Sequence, residues 1–257
     1  MNIIIVLAII LAICMLIIGG KKGLRSFIAL FLNFIVVIVL LFFMNVPQLN
    51  PILLTFIACI VVSIINLFYI NEVNPMTKIA FVSTLATTGF LVVLIWLFTK
   101  SSLIQGFGEE ETEELSMMSL HIGLDFQQIV ISVIIMSTIG AITDAAIAIA
   151  SPMREMLTLH PEATRKQLFD FGMHIGRDII GTSANTLFFA FFGSYLALLI
   201  WFNDLSYSLG EIVNSKIFSS ELITICCAGI GVTLVIPITA FIASYFLKDT
   251  KEETHLS

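Results

Sequence analysis

Charge is what this sequence has least of. Only 12% of its 257 residues are charged, against the roughly 25% with which a soluble domain covers its surface. The 12 lysines and arginines form no cluster beyond Lys21, Lys22 and Arg25, which argues against a nucleic-acid partner despite the modest net charge of −6. Cysteine is scarce too. Cys14, Cys59, Cys226 and Cys227 all sit in apolar runs with no C-x-x-C spacing, so they read as small apolar residues, not as metal ligands or a disulfide framework. There is no His/Glu metal motif, no Ser–Lys pair on facing helices and no second acid at "GxGD" spacing. The expectation is therefore no enzyme, no cofactor and no metal. No basic residue precedes "MNIIIVLAIILAICMLII" and "KKGLR" follows it, so this run is expected to be a retained span and not a cleaved signal. Ile13 stands where a lipid-attachment site at Cys14 needs a small residue.

Long apolar runs are what the sequence has in abundance. Runs of about 18–25 residues between short polar breaks mark a polytopic helical membrane protein, and the lipid bilayer is its first partner. The expected fold is all-α, one transmembrane domain of about seven spans, near 2–19, 26–44, 51–70, 79–99, 127–150, 179–202 and 222–247. Lys and Arg stay on the cytoplasmic side. Placing "KKGLR" there leaves only Lys100 and Lys216 of the 12 cations outside, so the N-terminus is expected outside and the C-terminus in the cytoplasm.

Two connections stand out. The outer loop near 100–126 holds Glu109, Glu110, Glu111, Glu113 and Glu114. Their crowding suits a solvated tract; a cation vestibule or a docking segment is the alternative. The inner segment 151–178 reads as an interfacial helical linker. Ser151 and Pro152 are expected to start one short helix, Pro161 another, and Gly172 to end it.

Polar residues inside the spans are few and clustered. In the fifth span Gly140, Ala141, Asp144, Ala145 and Ala148 recur at i, i+1, i+4, i+5, i+8, one face of a helix. Small residues allow close helix approach, so Asp144 is expected on a packing face, away from lipid. In the sixth span His174, Arg177, Asp178, Gly181, Thr182 and Asn185 share a face, below an aromatic layer of Phe188, Phe189, Phe191 and Phe192. If Ala150 and Ile179 share a depth, Asp144 is level with Asn185, or with Thr182 one turn away. Asn33, Asn66, Thr84, Thr87 and Thr88 are weaker signals, the threonines being expected to bond their own helix carbonyls. Pro237 is expected to kink the seventh span.

The run "GAITDAAIAIASPMREM" and the string "GMHIGRDIIGTSANTL" resemble the YibE/F-like family of bacterial membrane proteins. The similarity is clearest over 140–200, and "GGKKGLRS" with seven spans fits the shorter, YibF-type member. Asp144, Arg154, Gly176, Arg177, Asp178, Gly181, Thr182, Asn185 and Thr186 match the family pattern. His174 stands where Asn is expected, and Phe191 where Tyr is expected. The resemblance implies a bacterial inner membrane and a longer YibE-type sister subunit. It implies no particular chemistry.

Function is then read from the intramembrane acid, since such acids mark substrate or proton paths by default. The leading expectation is a transporter or permease-like subunit for a small solute or ion. Its candidate site is Asp144 with His174, Arg177, Asp178, Thr182 and Asn185. The alternative is a non-transporting structural or assembly subunit in which Asp144 clamps two helices.

Overall fold

An unbroken helix of 42 residues runs about 63 Å, twice the hydrocarbon core of a bilayer. Helix α1 (Ile3–Met44) has that length, and it is interrupted at Gly20, where φ is 54° and ψ −133°. L-residues rarely adopt this conformation. The chain folds back there: a Cβ on Gly23 would collide with the backbone carbonyl of Met15. One long helix thus supplies the first two expected spans. Gly20→Ala is expected to cost about 1–3 kcal/mol, read as a lower thermal midpoint in detergent.

The computed structural model describes residues 3–46, 48–102 and 126–256. The glutamates at 109–114 and His121 lie outside the described residues. The other elements are α2 (Pro51–Ile64), a π-helical turn (Ile65–Tyr69), α3 (Pro75–Ser102), α4 (Phe126–Leu159), α5 (Arg165–Asp204), α6 (Leu209–Asn214) and α7 (Lys216–Leu256). Among the described residues six helices are long and apolar enough to cross a membrane. With the break in α1, they account for the seven expected spans.

The inner linker is a correction. Pro152 does not start a helix; it lies inside α4, which continues to Leu159. Nor does Pro161 start one. The next helix begins at Arg165, where the Thr164 side chain accepts from the Gln167 N–H and the Gln167 side chain accepts from the Thr164 N–H. This reciprocal cap outcompetes the proline signal. Gly172 ends nothing, because it is buried within α5. The segment 151–178 is the continuation of two membrane helices joined by a short turn. Thr164→Ala is expected to cost about 0.5–2 kcal/mol, seen as earlier thermal unfolding.

Helix α7 is central, packed against α3, α4 and α5. Close approach rests on glycines. A Cβ on Gly231 would sit 2.7 Å from Leu91 Cδ1 and 2.9 Å from Ile142 Cδ1, so α3, α4 and α7 meet there. A Cβ on Gly172 would meet Met153 Sδ at 2.6 Å and Ala240 Cβ at 2.9 Å, and one on Gly176 would collide with Ile236. α5 is thereby seated on α4 and α7. Pro237 is accommodated within α7, which runs on to Leu256. By contrast α1 packs mainly against α2 and the π turn, and none of its described residues before Gly23 is buried.

The basic connections gather at one end. Ile79, Leu157, Leu168 and Leu247 share one buried cluster there. Lys248 donates to the Ala163 carbonyl at 2.9 Å, Arg165 lies 4.8 Å over the Tyr245 ring, and Arg25 pairs with Glu72 at 2.6 Å.

Candidate functional site

Helix periodicity places Asp144 two residues beyond Ile142 and one before Ala145, about 160–200° from the centre of the α4 packed face. That face is occupied by Ile135, Ile142, Ala146, Ile149 and Met153, all buried. Asp144 itself is exposed. The expected face is therefore split: Ala145 is buried within the chain, while among the described residues no helix covers Asp144. Gly140, Ala141 and Ala148 are only half-buried and Ser137 is exposed.

The polar face of α5 behaves the same way. Leu168, Gly172, Gly176 and Phe191 are its buried residues in the spanning region, and the stripe lies opposite them. His174, Arg177, Asp178, Gly181, Thr182 and Asn185 are all exposed. His174 Nδ1 lies 3.9 Å from Asp178 Oδ2, with side chains 76% and 77% exposed. Thr182 donates to the Ile179 carbonyl and Thr186 to the Thr182 carbonyl. Among the described residues neither Asp144 nor Asn185 has a hydrogen-bond or ion-pair partner.

Depth follows from the seat of α5. Gly172 meets Met153, and the two helices are antiparallel. Nine residues up each helix from that contact lie Asp144 and Gly181. Asp144 is therefore level with Gly181 and Thr182, one turn below Asn185. The expected pairing with Asn185 is corrected by that turn; no hydrogen bond joins Asp144 to either residue. Asp144 also lies ten residues from Arg154 at the basic end, about 15 Å, half of a hydrocarbon core about 30 Å thick.

Phe191 is corrected as well. It is 6% exposed, packed against Tyr195 and against Phe218 of α7 at ring-centroid distances of 5.2 Å and 5.8 Å. The hydroxyl absent there belongs to the packed seam and not to the polar stripe above Asn185.

Three polar features were not legible as contacts. Asn33 donates to Asn66 Oδ1 at 2.8 Å, joining α1 to the π turn, a geometry often found at functional positions. Asn66 lends its carbonyl to Asn71. Tyr195 donates to Glu221 at 2.7 Å, linking α5 to α7. The third is the buried hydroxyl face of α3. Thr87 bonds the Ser83 carbonyl as expected, but Thr84 and Thr88, fully buried, do not bond a carbonyl of their own helix. Equal spacing hides this difference, because rotamer choice decides it. A separate cavity of about 390 Å³ between α1 and α2 is lined by apolar residues such as Val39, Phe43, Leu54 and Val61. It offers a polar solute nothing to bind.

Long apolar helices around a glycine-seated core, with carboxylate, amide and hydroxyl groups left uncovered partway along them, define a polytopic α-helical membrane protein. The chain belongs to the YibE/F-like protein family, which it matches over residues 7–249. No curated protein and no solved structure matches it.

Proposed function

We propose that this protein is a permease-like membrane subunit that moves a small solute or ion, with its polar path along the uncovered faces of α4 and α5. The observation that carries the reading is Asp144. A carboxylate facing hydrocarbon costs about 2.5–3.5 kcal/mol or more, and this one has no partner among the described residues. Thr182 at its depth and Asn185 a turn above extend the polar surface, and Arg177, Asp178 and His174 continue it toward the basic end. A path open on one side is incomplete in a single chain, so the unit of transport includes a second membrane protein. The longer YibE-type sister is the proposed partner, and the bacterial inner membrane the proposed location. The reading assigns the protein no enzymatic activity.

The small residues Gly140, Ala141 and Ala148 beside Asp144 favour one other reading. In it the carboxylate clamps a neighbouring subunit and nothing is transported. Flux of ions and small solutes into proteoliposomes, with and without the sister protein, tests the difference. Flux above that of empty vesicles supports transport; none with both proteins present contradicts it.

Orientation is part of the proposal. The basic end should face the cytoplasm. A cysteine probe at Glu162, in a Cys-free background, should resist an impermeant reagent applied outside, while a probe at Gly106 reacts. Reversed labelling would sink this orientation.

A further inference from the structure

We infer that the uncovered face of α4 docks a transmembrane helix of another protein that presents a lysine or arginine at the depth of Asp144. This rests on the reading that the polar face is completed by a second protein, and it adds that partner's chemistry. Asp144 is exposed between half-buried Gly140 and Ala148, so an approaching helix meets a shallow surface with one carboxylate at its centre. At about 15 Å from the basic end, Asp144 is too deep for a lipid headgroup. A cation of opposite charge is what satisfies a carboxylate at that depth.

Among the described residues no lysine or arginine pairs with Asp144. The chain's 12 lysines and arginines are all known from the sequence, and the nearest in depth, Arg177, lies a turn closer to the basic end. Arg177 shares the exposed stripe of α5, but it lies about a turn below Thr182, and among the described residues no ion pair joins it to Asp144. Residues 103–125, which include the five glutamates, contain no lysine or arginine. A second copy fails for the same reason. At the depth of Asp144 a second copy in the same orientation brings its own Asp144, and like charges repel, while its Arg177 again lies about a turn closer to the basic end. The complementary occupant is a foreign helix with one basic residue near its middle.

The test uses labelled full-length protein in phosphatidylcholine vesicles with model Leu/Ala transmembrane peptides, read by energy transfer. One peptide carries a central lysine, one a leucine there, and one a lysine moved seven residues toward its end. The central-lysine peptide should bind at least tenfold more tightly than the other two, and Asp144→Leu should erase that preference. Unchanged melting of Asp144→Leu confirms that its fold is intact. Equal binding of all three peptides, or a preference that survives Asp144→Leu, overturns the inference. So does energy transfer between two labelled copies that Asp144→Leu abolishes, which assigns the face to self-association. Peptide docking without flux in the reconstituted pair contradicts the transport reading alone and leaves this inference standing.

Discussion

Gly176→Leu is expected to unseat α5 from the bundle. Even a methyl group on Gly176 would collide with the Ile236 side chain, with Ile236 Cβ itself only 3.2 Å away. A β-branched side chain in a helix has essentially one χ1 rotamer, so Ile236 has nowhere to turn. One turn earlier Gly172 faces Ala240 Cβ at 2.9 Å, which has no rotamer at all. The two glycines form a small-xxx-small contact, and relief requires moving a whole helix. Overpacking of this kind costs about 1–3 kcal/mol and sometimes more, a large part of a typical total of about 5–15 kcal/mol. The melting temperature and the membrane content of Gly176→Leu should both fall. Gly181→Leu is the control, because nothing lies within 4 Å of a Cβ built there. Equal losses in both variants would contradict the packing described for α5.

Asp144→Leu should do the opposite: leave the folded chain intact and abolish its function. On sequence grounds a leucine here overfills a Gly/Ala face and damages packing. In the structure Asp144 is exposed and points away from the buried row of Ile142, Ala146 and Ile149, so the larger side chain is directed away from that packed row. Replacing the carboxylate also removes a cost of about 2.5–3.5 kcal/mol at mid-membrane depth. Thermal stability of the purified chain should hold or rise, while transport, or assembly under the clamp reading, is lost. A destabilised Asp144→Leu chain would show that the face is packed within the protein after all.

Much of the architecture was legible because membrane helices announce themselves by length and hydropathy. The break in α1 fell at "GGKK" as the expected spans required. Helix ends were less legible. Pro152 and Pro161 looked like starts, yet α4 absorbed Pro152 and the reciprocal cap of Thr164 and Gln167 set the start of α5. The spacing of Gly172 and Gly176 was visible too, but assigning Gly172 to an interfacial linker hid its packing role. For the candidate site, the residues grouped by periodicity on α5 are all exposed, but on α4 Ala145 is buried while Asp144 is exposed. Periodicity does not tell whether a polar face turns inward or outward. A small-residue face around an acid suits contact with a helix of the same chain and with a helix of another protein equally well. Only the placement of α3 and α7 against the other side of α4 decides this. Pairings such as Asn33 with Asn66 and Tyr195 with Glu221 depend on which helices touch, so no single-helix pattern carries them.

The central claim is that the Asp144 carboxylate works as a charge or proton carrier. Asp144→Asn keeps the size of the side chain and its hydrogen-bonding capacity but removes the charge. Under the clamp reading the amide suffices, since intramembrane hydrogen bonds contribute about 0.6 kcal/mol on average. The decisive measurement is flux through proteoliposomes containing wild-type protein or Asp144→Asn, with the proposed sister subunit, at matched membrane content and across pH 5 to 8. The account predicts that Asp144→Asn folds, melts like the wild type and moves nothing at any pH in that range. Wild-type flux from Asp144→Asn throughout the range would contradict it.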